Sequence, residues 1–304
     1  MLIDGRWSAG AALPRDRTGR YVRPETAFRN WITPDGSPGP TGTGRFRAER
    51  GRYHLFVSLL CPWASRALAA LKLKDLEGAV TVTVLDPVAG PEGWRFAAGD
   101  PDPVAGAAHL HQIYTLADPS FTGRVTVPVL WDRKRRTIVS NESAEIVRMF
   151  DRGFGAIAGG RYDLKPDDLA ARIEALNAQL HSEVNDGVYK AGFAATIEAH
   201  EDAVRRLFAM LATLDARLDS AGPFLFGDRF TESDLRFFVT LVRFDAAYHP
   251  FFGCDRARIA DHPALSAYLA RLLAIPELAA TVNMDHIVRG YAASGARQAW
   301  RRAA

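Results

Sequence analysis

The sequence has few cysteines and no long apolar run. Cys61 and Cys254 are the two cysteines among 304 residues, too few for a disulfide framework, which fits a reducing compartment. No apolar run approaches the ~18 residues that a membrane-spanning helix needs. The first residues show no apolar segment ahead of a small-residue cleavage site, so a secretory signal is not predicted. We therefore expect a cytoplasmic protein with no membrane partner.

Charge of one sign is also scarce, because 38 Lys and Arg residues stand against 35 Asp and Glu residues. The one compact basic run, residues 133–136, lies between two strand-like segments and predicts a solvated hairpin tip. Nucleic-acid binding would require a basic face interleaved with aromatic side chains. The sequence does not show such a face, and we expect no nucleic-acid partner.

Two histidines form a possible metal pair. His109 and His111 are separated by one residue, and imidazole is a common ligand of zinc. No cysteine and no clear third ligand accompanies them in the sequence. We therefore predict no metal.

Length and pattern indicate more than one domain, since a single hydrophobic core usually stops growing near ~250–300 residues. The chain divides into an extended, Gly-, Pro- and Arg-rich arm at 1–50, an α/β domain at 51–158, an all-helical domain at 159–293 and a polar tail at 294–304. In the helical part leucines recur at helical spacing, and Thr231 and Asp234 predict a capping box ahead of one helix.

The α/β domain has a mixed order of elements. Its predicted elements are a strand at 53–58, a helix at 64–75, a strand at 80–84, a long loop at 86–123 with one short helix at 109–117, hairpin strands at 125–131 and 137–139, and a helix that opens at 140–143. Strand, helix and strand imply a parallel pair with a right-handed crossover. The fold class is therefore α/β followed by an all-α bundle.

Cys61 lies at the junction between the first strand and the first helix, and Pro62 follows it. Proline is favoured at the first helical position, because its missing N–H would have had no partner there. The sulfur then faces the positive end of the helix dipole, which raises the thiolate fraction near neutral pH. The alternative is a small buried cysteine. Position 64 is alanine, so no Cys-x-x-Cys pair exists, and a disulfide made by Cys61 requires an external thiol to resolve it.

Three further positions suggest a peptide-binding edge. A cis bond at Val127-Pro128 would leave the Val127 N–H and C=O groups free to pair with an extended peptide, whereas a trans bond would indicate an ordinary edge proline. Glu142 and Ser143, at the start of the next helix, could bind an amino group and a carboxylate respectively. Simple N-capping explains the same two residues equally well.

These residues together resemble a known family. Cys61-Pro62-Trp63-Ala64, Val127-Pro128-Val129-Leu130 and Asn141-Glu142-Ser143, followed by an all-helical half, are similar to cytosolic glutathione transferases with a thioredoxin-like N-terminal domain. Longer segments resemble the glutathionyl-hydroquinone reductases, or Xi class: they lie at 51–64, 123–132, 184–194, 244–252 and 282–287. The resemblance covers roughly residues 46–291, and motifs of this length are specific.

The resemblance implies that the protein uses glutathione to reduce glutathionyl-hydroquinones through a Cys61–glutathione disulfide. It implies a glutathione site and a pair of tyrosines for the hydroquinone. The glutathione site comprises Trp94, Arg124, Val127, Pro128, Glu142 and Ser143, and the tyrosines are Tyr189 and Tyr291. It also implies a homodimer. One departure is Ser65, which stands where the family motif normally continues with histidine.

Two other functions share the same residues. One is a different cysteine-type transferase activity, such as reduction of dehydroascorbate or of mixed disulfides, which would use Cys61 but not the tyrosines. The other is a non-catalytic binder of glutathione conjugates, which the Ser65 departure favours.

Overall fold

The computed structural model describes residues 1–97 and 102–294. It divides the chain into two compact units: unit 1 comprises 1–12 and 25–161, and unit 2 comprises 13–24 and the chain from Tyr162 onward. The predicted boundary at 158/159 lies close to the observed change at 161/162. Of the predicted tail, only Ser294 lies within the described residues.

The first fifty residues do not form the single arm that the composition suggests. Residues 13–24 belong to unit 2 and the flanking segments belong to unit 1. In unit 1 the Leu2 N–H donates to the Gly123 carbonyl at 2.9 Å, and the Asn30 N–H donates to the Val139 carbonyl at 2.9 Å. Frequent Gly and Pro in the first fifty residues remove any periodicity from the sequence. Their backbone N–H and C=O groups still need hydrogen-bond partners, and the partners lie far along the chain.

Unit 1 is built on a four-stranded sheet. Its strands, with four short strands that precede them, are β1 (Leu2–Ile3), β2 (Arg6–Trp7), β3 (Ile32–Thr33), β4 (Phe46–Arg47), β5 (Tyr53–Val57), β6 (Val80–Val84), β7 (Val129–Asp132) and β8 (Thr137–Ser140). The sheet order is β6-β5-β7-β8. Strands β5 and β6 are parallel, with Val57 opposite Val84, and β7 is antiparallel to both of its neighbours.

In its described residues unit 1 has three α-helices: α1 (Pro62–Leu73), α2 (Leu110–Ala117) and α3 (Ser143–Arg148). Helix α1 joins the parallel strands, as the strand–helix–strand pattern predicts. Strand β7 starts at Val129 instead of the predicted 125, since Pro128 has no N–H to give to a sheet. The basic run 133–136 forms the turn between β7 and β8, which confirms the predicted hairpin tip.

His54 is a buried titratable group in this sheet, 1% exposed. Its Nδ1 lies 2.6 Å from the Thr81 hydroxyl and 3.2 Å from a guanidinium nitrogen of Arg133. Burial, reinforced by the positive charge of Arg133, lowers the pKa of His54 to about 3. His54 is therefore neutral at physiological pH.

Unit 2 is helical in its described part. The helices are α4 (Ala170–Gln179), α5 (Gly187–Gly192), α6 (Ile197–Ala221), α7 (Glu232–Arg243), α8 (His249–Phe252), α9 (Pro263–Leu273), α10 (Pro276–Ala279) and α11 (Met284–Ala293). π-helical turns at Leu180–Asn185 and Phe244–Tyr248 precede α5 and α8. Within the residues described, no single helix is long and apolar enough to cross a membrane, although α9 and the segment Pro276–Ala293, bent by 91°, pass that test as a pair.

The predicted capping box at the start of α7 is confirmed, and it extends into the core. Asp234 is fully buried. Its Oδ2 accepts the Thr231 N–H at 2.8 Å, and its Oδ1 accepts the Leu225 N–H at 2.8 Å and the Tyr268 hydroxyl at 2.8 Å. Burial raises the pKa of Asp234 despite these hydrogen bonds. The carboxylate thereby joins α7, α9 and the loop before α7.

Candidate active site

Cys61 is the N-cap residue of α1, and Pro62 is its first helical residue. The Cys61 N–H donates to the Ser58 carbonyl at 3.0 Å, and its own carbonyl accepts the Ser65 N–H at 2.9 Å. These bonds hold the residue in an extended conformation where the chain leaves β5 and enters α1. The side chain is partly exposed, so a small substrate can reach the sulfur. The strand–Cys–Pro–helix arrangement expected from the sequence is confirmed.

Cys254 differs from Cys61 in its exposure. It is fully buried, and burial raises the pKa of its thiol far above the ordinary value. It remains a protonated, inaccessible thiol at neutral pH. Cys61 is therefore the thiol of this protein that can act as a nucleophile.

The bond between Val127 and Pro128 is cis, one of the two alternatives left open by the sequence. The Cys61 sulfur lies 3.7 Å from the Val127 carbonyl oxygen, which accepts a hydrogen bond from the thiol. The structure thus joins two residues from distant parts of the chain. The sequence predicts that a cis bond leaves both the N–H and the C=O group of Val127 free. Because the carbonyl already accepts the Cys61 thiol, this can hold only for the N–H.

Glu142 and Ser143 are positioned by an arginine that the sequence analysis did not single out. Arg66 lies in α1 and is 2% exposed. Its Nε donates to the Ser143 hydroxyl at 3.0 Å, and a terminal nitrogen lies 3.6 Å from Glu142 Oε1. The guanidinium also lies 4.8 Å from the Trp63 ring centroid. One buried cation therefore connects the helix that carries Cys61 to the start of α3.

The Glu142 side chain caps α3, because its Oε1 accepts the Ala144 N–H at 3.0 Å. Its Oε2 accepts the Thr26 hydroxyl at 3.2 Å. Burial alone would raise the pKa of this carboxyl, but Arg66 and these hydrogen bonds outweigh burial and hold the pKa below its usual range. The N-capping alternative is correct for Glu142, and the same carboxylate, with 26% side-chain exposure, stays ionised at neutral pH.

The two other predicted glutathione residues, Trp94 and Arg124, belong to other segments of unit 1. Trp94 is half-buried in the loop after β6, where its carbonyl accepts the Leu110 N–H at 2.9 Å. Arg124 is exposed in the segment before Val127. In the part of the chain that the structure describes, neither side chain is hydrogen-bonded or ion-paired to Cys61, Glu142 or Ser143.

In unit 2 the predicted tyrosines meet. The Tyr189 hydroxyl lies 2.7 Å from the Tyr291 hydroxyl, which in turn lies 3.0 Å from the hydroxyl of Tyr248. Tyr189 is partly exposed, whereas Tyr291 is 3% exposed. Burial, with the neighbouring tyrosines, raises the pKa of Tyr291 well above its usual value. The three hydroxyls form a hydrogen-bonded chain that ends at the partly exposed Tyr189.

Packing and charge around this tyrosine cluster (Tyr189, Tyr248 and Tyr291) hold it in place. The Phe252 ring lies 5.5 Å from the Tyr189 ring and 5.3 Å from the Tyr291 ring. Arg23 lies over the Tyr189 ring at 4.8 Å, and its Nε contacts Asp186 at 2.6 Å. Sequence reasoning missed Tyr248 and Arg23, since nothing local links them to Tyr189.

Comparison with known proteins agrees with this two-part fold. The model of the glutathione S-transferase N-terminal domain matches residues 60–152, and that of the C-terminal domain matches residues 197–271. The chain is 46% identical to the glutathionyl-hydroquinone reductase YqjG of Escherichia coli, over 96% of this chain and 90% of that protein. It is 41% identical to the glutathionyl-hydroquinone reductase PcpF of Sphingobium chlorophenolicum, with 96% and 90% covered.

Solved structures give the same result. The glutathione-bound structure of Escherichia coli YqjG matches with a TM-score of 0.88 at 46% identity, covering 96% of this chain and 90% of that one. The Xi-class glutathione transferase of Natrialba magadii matches with a TM-score of 0.87 at 40% identity, covering 99% and 90%.

Proposed function

The chain belongs to the Xi-class glutathione transferases, the family of the glutathionyl-hydroquinone reductases, and from this membership we propose its reaction. The enzyme reduces glutathionyl-hydroquinones to hydroquinones with glutathione and releases oxidised glutathione. The observation that supports this most directly is Cys61, a single partly exposed thiol at the start of α1 with no second cysteine in its motif.

The reaction proceeds in two thiol exchanges. The Cys61 thiolate attacks the glutathione sulfur of the conjugate, the carbon–sulfur bond breaks, and the aromatic carbon takes a proton to give the hydroquinone. Cys61 is left in a mixed disulfide with glutathione. The thiolate of a second glutathione attacks that disulfide, which releases oxidised glutathione and regenerates the Cys61 thiolate. Two sulfurs are oxidised to a disulfide, and one carbon–sulfur bond is reduced to carbon–hydrogen.

The group around Arg66 provides the chemistry that glutathione requires. In this proposal the ionised Glu142 binds the glutathione amino group, and Ser143 binds the carboxylate beside it. The Val127 N–H supplies a backbone hydrogen bond to the peptide, next to the cis Pro128. Trp94 and Arg124 complete the glutathione site, an assignment that rests on the family resemblance.

Tyr189 and Tyr291 act on the hydroquinone. The Tyr291 hydroxyl has a raised pKa, so it remains protonated at neutral pH and able to donate a hydrogen bond. We assign both tyrosines to the hydroquinone hydroxyls, where such donors stabilise charge that develops on the leaving aromatic group.

Intact-mass spectrometry tests the covalent step. One addition of glutathionyl-hydroquinone without free glutathione should give a single glutathione adduct on Cys61, and later addition of glutathione should remove it. The Cys61→Ser variant should give no adduct. An adduct that maps to Cys254, or none at all in the wild-type protein, would contradict the proposal.

Substrate comparison tests the tyrosine assignment. Tyr189→Phe should reduce turnover of the glutathionyl-hydroquinone and leave turnover of a small glutathione mixed disulfide unchanged, because only the first substrate has hydroxyls to bind. Equal loss on both substrates would favour the more general thiol-exchange activity.

We also propose a homodimer located in the cytoplasm. The family resemblance supports the dimer, and two free cysteines are consistent with a reducing compartment. Light scattering of the purified chain should give twice its 33.3 kDa mass, and cell fractionation should recover it with the soluble cytoplasmic proteins.

A further inference from the structure

Three side chains of metal-binding type meet in unit 1, away from Cys61 in the sequence. One potential ligand atom from each of Glu92, His109 and His111 lies within 4.8 Å of the other two. The sequence offered the two histidines without a third ligand, and the fold brings Glu92 to them. His109 Nδ1 lies 3.3 Å from Glu92 Oε2. Ligand atoms of a tetrahedral zinc ion with bonds of about 2.0–2.1 Å are separated by about 3.3–3.4 Å, so this pair already has the required spacing.

The backbone fixes this arrangement. Arg95 and His109 form an antiparallel bridge, and the Leu110 N–H donates to the Trp94 carbonyl at 2.9 Å. The turn that carries Glu92 is closed by hydrogen bonds in both directions between Gly90 and Gly93. The Glu92 segment is thereby tied to the start of α2, where both histidines lie. The backbone positions of the three ligands are therefore held before any ion binds, which lowers the entropy cost of binding.

A stack of rings orients the histidines. The Trp7 ring lies 4.9 Å from the His111 ring, and His111 lies 5.5 Å from His109 with the ring planes 9° apart. The Trp7 indole N–H also donates to the Pro91 carbonyl at 3.0 Å. Gly93 makes room for the indole, since a Cβ there would lie 2.8 Å from it.

One polar atom of this stack is unsatisfied. His111 Nε2 is buried and has no hydrogen-bond partner within residues 1–97 and 102–294. Burying a polar atom without a hydrogen-bond partner costs folding free energy. A metal ion coordinated by His111 Nε2 would offset that cost. No contact in the Cys61 chemistry uses this histidine.

We propose that Glu92, His109 and His111 bind one divalent ion of the zinc class, with water as a fourth ligand. Two imidazoles and a carboxylate in a tetrahedral arrangement are a donor set that suits zinc. The ion joins the Glu92 turn to α2. Trp94 lies two residues beyond Glu92, so the ion also fixes the segment that carries this predicted glutathione residue.

Metal titration of the whole chain tests the site. The experiment uses a Cys61→Ser background, so that the reactive thiolate does not itself take the ion. Calorimetric titration with Zn²⁺ should give one ion per chain, and Co²⁺ should give the visible absorption bands of a tetrahedral site. His109→Asn should weaken Zn²⁺ binding by more than the about 10–100-fold that loss of an outer-shell partner costs.

Two further variants keep the result interpretable. Glu92→Gln alters an exposed side chain, so it should weaken Zn²⁺ binding without unfolding the protein, whereas His181→Asn, an exposed histidine outside the cluster, should leave binding unchanged. Zn²⁺ should also raise the melting temperature of the Cys61→Ser protein but not that of its Glu92→Gln derivative. The proposal would be overturned if the Cys61→Ser protein bound no Zn²⁺, or if its Glu92→Gln and His109→Asn derivatives bound Zn²⁺ as tightly as the Cys61→Ser protein does.

Discussion

Replacing Arg66 by methionine separates glutathione binding from thiol chemistry. Arg66 is 2% exposed, and its charge is the main influence that opposes the burial of Glu142. Methionine fills a similar volume without the charge. The Glu142 pKa should then rise, because the cost of burying its charge remains while the cation that compensates for it is gone.

The size of the effect follows from the contacts. Breaking a buried pair costs about 3–5 kcal/mol of unfolding free energy, and we expect about 3 kcal/mol because Glu142 retains 26% side-chain exposure. Loss of the proposed charge-assisted bond between Glu142 and the glutathione amino group, about 1.5–3 kcal/mol, corresponds to an about 10–100-fold higher KM for glutathione. This increase should be present wherever Glu142 is protonated and should disappear as the pH rises above its new pKa.

The assay measures KM for glutathione from pH 5.5 to pH 8.5, with urea unfolding alongside. Arg66→Lys keeps a cation near Glu142 and should restore the wild-type pH profile, although it loses the Nε bond to Ser143. Arg50→Met, at an exposed position, is the matched control. In a Glu142→Gln background, Arg66→Met should add little to the KM. The reasoning would be refuted if the KM of Arg66→Met for glutathione depended on pH in the same way as that of the wild-type enzyme.

Three other predictions concern stability. His54→Gln should flatten the pH dependence of the unfolding free energy. In the wild type, His54 of the unfolded chain binds a proton below about pH 6.5, whereas the folded His54, with a pKa of about 3, stays neutral. The wild-type unfolding free energy therefore falls by up to about 1.4 kcal/mol per pH unit on acidification through that window. Asp234→Asn should cost about 2–4 kcal/mol, because an amide has one acceptor oxygen where the buried carboxylate has two, each of which accepts backbone N–H groups. Gly192→Ala should cost about 1–3 kcal/mol, because the new Cβ would lie 2.4 Å from the Phe252 ring.

Urea unfolding monitored by circular dichroism checks all three, at pH 4.5–7.5 for His54→Gln and at pH 7 for the others. His181→Gln, at an exposed position, is the control for the first. Gly78→Ala is the control for the third, since a Cβ at Gly78 meets nothing within 4 Å. An unchanged pH slope, or losses below about 0.5 kcal/mol for either other variant, would count against the corresponding argument.

Much of the fold follows from local rules. Local patterns, between residues within about four positions of one another, determine helix α1, the short helix α2 and the capping box at Thr231. The sequence therefore predicts the capping box, and it predicts both helices to within two residues of their ends. The arm at 1–50 was predicted poorly for the same reason. Its partners lie across the chain, and frequent Gly and Pro hide any period.

The sequence by itself determined the reactive thiol, because strand, Cys61, Pro62 and helix are adjacent in the chain and their geometry follows from that adjacency. Only the tertiary structure decided which charges and hydroxyls meet. Arg66 with Glu142, Tyr248 with Tyr291, and Glu92 with His109 are pairs that no local period joins. The pKa of Glu142 and the proposed metal site depend on such pairs, because burial and the distance between charges exist only once the chain has folded.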